Sequence, residues 1–345
     1  MMGATLGTDP RSDPRMIAAL APFGLDAPAP EPPVTRASSP EELLQFAAGV
    51  EAAFEALHDA LMGNLPPVEG VTCEVATTAA VDGTELRLHI NRPATSDGPL
   101  PCIYHLHGGG GVILSAESAG YARWRNELAA TGVVVVGVEF RNGAGKLGPS
   151  PFPTGLEDCA AGLRWVADHR RDLGAANIVV SGDSGGANLS LALAIKAKRE
   201  GWVHEISGVY GQCPDIHGAW ADQTDGLASL RENDGYLMAG GLLEVLAEVY
   251  DPGGAHAQDP TCWPFHATVA DLEGLPPHAI SVSELDPLRD EGIAYHRKLL
   301  AAGVDSTGRM NLGVCHIGEV LFRAALPELY AANVAAISGF TRSRT

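Results

Sequence analysis

The chain has 345 residues, enough to bury a large core, and its 46% hydrophobic and 19% charged content is that of a globular protein. A formal charge of −19 argues against nucleic acid or an anionic membrane surface as a partner, since both demand basic patches. No run of about 18 apolar residues suggests a membrane span. The polar start from Met1 to Arg15 has no apolar signal core, and the six scattered cysteines form no C-x-x-C, so reduced thiols and a cytoplasmic location are expected.

In chain order, residues 1–13 and 27–40 are rich in Pro, Ser and Asp and read as loop or mobile arm. Arg15 to Phe23 is a short helical pattern. A longer one begins at Ser39-Pro40-Glu41-Glu42, with proline in the first turn and acids beside it, and carries Leu43, Phe46, Val50, Phe54, Leu57 and Leu61 at helical spacing. From Val71 the period changes to that of strands, with a turn at Asp82-Gly83.

Strands and helices then alternate. Strands are predicted at Val133–Val138, Ile178–Ser181, Ile206–Tyr210, His278–Val282 and Ser306–Leu312, and helices at Leu156–His169, Ala187–Arg199 and Asp290–Ala302. The alternation predicts an α/β fold with a mainly parallel sheet. Residues 213–275 break the rhythm, and an insertion of that size reads as a cap rather than a structureless loop. The chain therefore divides into an N-terminal arm with cap helices (1–69), a first part of the core (70–212), a cap insertion (213–275) and a second part of the core (276–345).

The chemistry centres on Gly182-Asp183-Ser184-Gly185-Gly186. A β-branched run enters this G-x-S-x-G and a helix-forming run leaves it, so Ser184 sits at the apex of a sharp strand–turn–helix, where a nucleophile is held clear of the sheet. The same pentapeptide carries the nucleophile in trypsin-like proteases, but there the serine lies among strands after its His and Asp. The glycines of His107-Gly108-Gly109-Gly110-Gly111 follow a predicted strand and can turn amides inward, so Gly109, Gly110 and Gly185 are the candidate oxyanion donors. His107 reads as a structural hydrogen bonder.

Asp286 ends a predicted strand, where an α/β sheet presents ligand-facing groups, and Pro287 fixes the turn after it. Asp290 competes, but as a first-turn acid it is explained by the helix dipole. His316 follows the last predicted strand and completes the order Ser184…Asp286…His316. Trp220, Tyr236, Trp263 and Phe265 either line a pocket in the cap or form its core, and Trp220, Tyr236 and Ile317 are taken as substrate-contact candidates. No metal and no cofactor is called for.

Together these motifs resemble the bacterial hormone-sensitive-lipase family of α/β-hydrolases over roughly residues 70–345. The resemblance implies an α/β-hydrolase fold with a mostly parallel eight-stranded sheet, a helical cap built from the N-terminus and the insertion after strand six, and carboxylic ester hydrolysis through an acyl-enzyme. It further implies small esters with short acyl chains as substrates, and allows a homodimer. Hydrolysis of another activated acyl bond (carbamate, lactone or aryl amide) and a ligand receptor derived from a hydrolase are the alternatives. Two departures stand out. Gly185 replaces the family's usual alanine, which is expected to loosen that amide or open space near the acyl carbon. Phe140-Arg141-Asn142-Gly143-Ala144-Gly145 replaces the usual Tyr-Arg-Leu-Ala-Pro-Glu segment.

Overall fold

A computed structural model describes residues 5–62, 65–220 and 226–344. Eight strands form one sheet: β1 (Val71–Ala79), β2 (Glu85–Pro93), β3 (Cys102–Leu106), β4 (Val134–Val138), β5 (Val179–Asp183), β6 (Gly208–Gln212), β7 (His278–Leu285) and β8 (Ser306–Cys315). Their order is β1-β2-β4-β3-β5-β6-β7-β8. The β1–β2 and β2–β4 pairs are antiparallel and all others parallel. Strands β3 to β6 are buried along their whole length, as strands covered on both faces must be.

The helices are α1 (Pro14–Leu20), α2 (Pro40–Met62), α3 (Ala119–Ala129), α4 (Thr154–Asp168), α5 (Gly185–Arg199), α6 (Ser229–Glu232), α7 (Gly240–Tyr250), α8 (Val269–Leu272), α9 (Arg289–Ala301), α10 (Gly318–Leu321) and α11 (Pro327–Arg342). Alternate strand residues feed two cores. Ile103 and Val135 join α1, α2, α3, α7 and α11 on one face, while Tyr104, Leu106, Val134 and Val136 join α4, α5 and α9 on the other.

Three differences from the sequence expectations have physical causes. The described part of the N-terminal arm is anchored rather than mobile: Leu6 is fully buried and Asp9 pairs with Arg11 and accepts from Tyr236. Helix α3 was not anticipated, because its buried face includes Arg125, whose guanidinium donates to Asn91 and to the Ala116 carbonyl. Helix α5 begins at Gly185, two residues earlier than expected, so that its first turn opens directly on Ser184.

Candidate active site

Ser184 lies between β5 and α5 with φ 54° and ψ −122°, a backbone conformation that a non-glycine residue holds only under strain. The neighbouring glycines permit it. A Cβ on Gly182 would overlap the Gly186 carbonyl, and one on Gly186 would overlap the Leu106 carbonyl. The Ser184 amide donates to the Gln212 carbonyl at 2.8 Å, fixing the turn against β6.

The side chains of Ser184, His316 and Asp286 converge from the ends of three strands. His316 Nε2 is 2.9 Å from Ser184 Oγ, and His316 Nδ1 is 2.8 Å from Asp286 Oδ2. The Leu288 amide donates to Asp286 Oδ1 at 2.9 Å, so the carboxylate is held from both sides. Burial alone would lower the affinity of His316 for a proton. The charge and hydrogen bond of Asp286, with the charges of Asp215 and Glu319, outweigh it and raise the pKa above the ordinary histidine value. Asp290 instead accepts from the Ser229 amide and pairs with Arg289.

Cys213 stands with Asp286 and His316 in a group whose donor atoms lie within 4.8 Å of one another. Burial, with Glu319 and Asp286 nearby, pushes its thiol pKa well up. A neutral thiol beside a carboxylate and an imidazole already bonded to each other makes a poor metal site.

The glycine-rich loop takes positive φ at Gly109 (106°), Gly110 (67°) and Gly111 (69°). Among the described residues, the amides of Gly109, Gly110 and Gly185 have no backbone partner. The loop is held from behind. Tyr121 Oη accepts from the Gly108 amide at 2.9 Å and donates to Asp183 Oδ2 at 2.9 Å. His107 bonds the Gly108 carbonyl at 2.8 Å through Nδ1 and stacks on Phe140 with ring centroids 4.1 Å apart. Burial lowers its pKa to about 4, so it stays neutral.

Both departures from the family pattern bear on this loop. A Cβ on Gly185 would overlap the Cα and N of Gly110, so the missing methyl opens no space for an acyl group; the glycine loop fills it. The Phe140–Gly145 segment pairs with the same loop. The Gly143 amide donates to Gly111 O at 2.9 Å, the Ala144 amide to Val112 O at 2.8 Å, and Asn142 Nδ2 to Leu114 O at 2.6 Å.

A cavity opens above Ser184 and His316, walled by Gly109, Gly110, Ile113, Asp215 and Ile317 and roofed by Phe54 and His58 of α2 and Leu242, Leu243 and Leu246 of α7. Phe54 and Leu242 also border a larger apolar cleft of about 440 Å³ between α2 and the insertion. Ile317 is in the cavity wall, but Trp220 and Tyr236 are not. The Trp220 indole N–H donates to Glu291 at 3.0 Å and its ring packs edge-on against Trp263, while the Tyr236 hydroxyl donates to Asp9. Each polar tip has an internal partner, which turns both rings into core. Sequence reasoning passed over Phe54, His58 and Asp215. For Asp215 the signal was the one used for Asp286, an acid just past a strand end.

The sequence pattern of the alpha/beta hydrolase fold family matches residues 103–318. The chain belongs to the α/β hydrolase family. This α/β hydrolase is 30% identical over 277 residues to carboxylesterase NlhH of Mycobacterium tuberculosis, covering 77% of this chain and 81% of that protein. It is 30% identical over 249 residues to ethyl acetate hydrolase of Pseudomonas putida, covering 68% and 72%. A solved brefeldin A esterase, described as a bacterial homologue of human hormone-sensitive lipase, superposes with a TM-score of 0.96 at 43% identity, covering 99% of this chain and 96% of that one. The hydrolase is thus on the hormone-sensitive-lipase side of its family. No described helix is long and apolar enough to cross a membrane.

Proposed function

We propose that this carboxylic ester hydrolase is a serine esterase in which Ser184 is the nucleophile, His316 the base and Asp286 the residue that orients it. The observation that carries the reading is the unbroken run of contacts from Ser184 Oγ through the imidazole to Asp286, 2.9 Å and 2.8 Å long. His316 Nε2 takes the hydroxyl proton as Oγ bonds to the ester carbonyl carbon, and the carbonyl π pair moves onto oxygen. The Gly109, Gly110 and Gly185 amides receive that oxyanion, each worth roughly 3–4 kcal/mol in the transition state. Collapse breaks the bond to the alcohol, which leaves with the proton from His316. Water, deprotonated by His316, then attacks the acyl-enzyme; the acid departs and the proton returns to Ser184.

Residues 1–69 and 213–275 act as the cap over a core of 70–212 and 276–345. Support comes from α2 and α7, which pack together and roof the cavity. The cavity is small, about 40 Å³, and Leu242, Leu243 and Leu246 line it, which favours short acyl chains, with the apolar cleft beyond Phe54 taking the rest of the molecule. The name of the Pseudomonas relative, ethyl acetate hydrolase, agrees with a small ester. All six cysteines are free, which fits a reducing, cytoplasmic setting.

Initial rates on p-nitrophenyl esters from acetate to palmitate test the reading, with Ser184→Ala as the blank. Turnover that peaks at short chains and vanishes in the variant is expected. Turnover rising towards palmitate would remove the short-acyl assignment.

A further inference from the structure

Asp215 is a buried residue near the catalytic centre whose carboxyl, among the described residues, has no hydrogen-bond or ion-pair partner. It lies three residues past the end of β6, and its backbone is committed: the amide donates to Ser184 O at 3.4 Å and the carbonyl accepts from Asn188 Nδ2 at 2.8 Å. Its side chain lines the catalytic cavity and the residue is 6% exposed. Oδ1 is shut off from solvent without a partner, and no hydrogen bond or ion pair reaches either oxygen among the described residues. Oδ2 lies 3.7 Å from where a Gly110 Cβ would be, beside the glycine loop.

Each of the other buried carboxyls of this region has at least one oxygen engaged. Asp286 binds His316 and Leu288, Glu291 binds the Ile216 amide and Trp220, Glu319 accepts from Ser283, and Asp183 accepts from Tyr121. A buried carboxyl costs free energy unless something hydrogen-bonds it, so an orphan facing a cavity is a site for a ligand group. His58, the other unpaired polar side chain of the wall, has its Nδ1 turned towards Gly120 of α3.

We propose that Asp215 is a substrate-binding residue that selects esters carrying a hydroxyl group a few bonds from the scissile carbonyl, the hydroxyl hydrogen-bonding the Asp215 carboxyl. The inference rests on the esterase reading above. A hydroxyl fits better than an ammonium for two reasons. Asp215 and His316 line the same cavity, and the imidazolium that forms during the reaction would repel a second cation there. Burial also pushes the Asp215 pKa up to about 6, and a hydroxyl can donate to the carboxylate or accept from the acid. Beside it, Leu246 comes as close to the Gly110 Cβ position as Asp215 Oδ2 does, and it offers a hydroxyl no partner.

The test compares ethyl butanoate with ethyl 3-hydroxybutanoate and 2-hydroxyethyl butanoate by pH-stat titration, in the wild type and in Asp215→Leu and Asp215→Asn. The wild type is expected to show a higher kcat/KM for at least one hydroxylated ester than for ethyl butanoate. Asp215→Leu should lower that ratio by roughly 10–100-fold, and Asp215→Asn, which keeps an acceptor of the same shape, by less. Hydrolysis of ethyl butanoate with no preference for either hydroxylated ester in the wild type would overturn the inference and leave the esterase reading intact, whether or not the leucine variant folds. A preference unchanged in Asp215→Leu would also overturn it. No turnover of any of the three by the folded wild type would bring down both.

Discussion

Glu51 on α2 accepts a hydrogen bond from the Leu114 amide at 2.9 Å, tying a helix of the proposed cap to the end of the glycine loop. Its second oxygen accepts from the Lys146 amide at 3.0 Å. Gly145, with φ 64°, makes room for the carboxylate, since a Cβ there would stand 2.6 Å from Oε1. One side chain therefore links the proposed cap, the glycine loop and the chain just past the Phe140–Gly145 segment. Glu51→Ala should cost about 1–3 kcal/mol for each amide left unpaired and lower kcat more than it changes KM. Thermal unfolding and ester kinetics on the same preparation check this.

In the proposed mechanism the raised pKa of His316 sets the acid side of the pH–rate profile. The base must be neutral, so kcat/KM rises with pH as the imidazolium loses its proton, and the midpoint should lie above the ordinary histidine value of about 6.5. Asp286→Asn removes the charge that holds the proton. The midpoint should move to lower pH and kcat should fall by about 10⁴. A profile whose midpoint does not move in Asp286→Asn would assign the titration to another group.

Asp183 gives a stability prediction of opposite sign to that of a paired carboxylate. Its burial raises the pKa to about 7, from 3.8 in the unfolded chain, despite the Tyr121 hydrogen bond. The folded state keeps its proton where the unfolded state has lost it, so this contribution is complete below pH 3.8 and is lost as pH rises through about 7. Asp183→Asn cannot ionise. The Tm of the variant minus that of the wild type should climb between those two values and level off above, as seen in differential scanning calorimetry over a pH series.

Gly185→Ala tests the contact between the Ser184 turn and the glycine loop, the proposed oxyanion hole. The added methyl must displace Gly110 or itself. Losing one donor from an oxyanion hole costs about 10²–10³ in kcat, which is the upper bound expected here. An unchanged kcat would mean that the loop gives way freely.

The catalytic candidates were legible because each follows a strand end with its own local signature: glycines around Ser184, proline after Asp286, and chain order for His316. The cavity was not, because its roof comes from α2 and α7, nearly two hundred positions apart. Phe54 and His58 sit in a pattern that reads equally well as ordinary amphipathic helix. For Trp220 and Tyr236 the choice between pocket and core stayed open for a related reason, since nothing local reveals that Glu291 and Asp9 meet their polar tips. The Phe140–Gly145 departure was visible as a difference, but its role in bracing the glycine loop depends on backbone pairing that only the fold shows.

Titration of the wild-type protein with diethyl p-nitrophenyl phosphate tests the assignment of Ser184 most directly. One equivalent of p-nitrophenolate should be released per chain, esterase activity should fall in proportion, and mass spectrometry of the digest should place the diethylphosphoryl group on Ser184. Labelling of another residue, or full ester turnover in Ser184→Ala, would contradict the account.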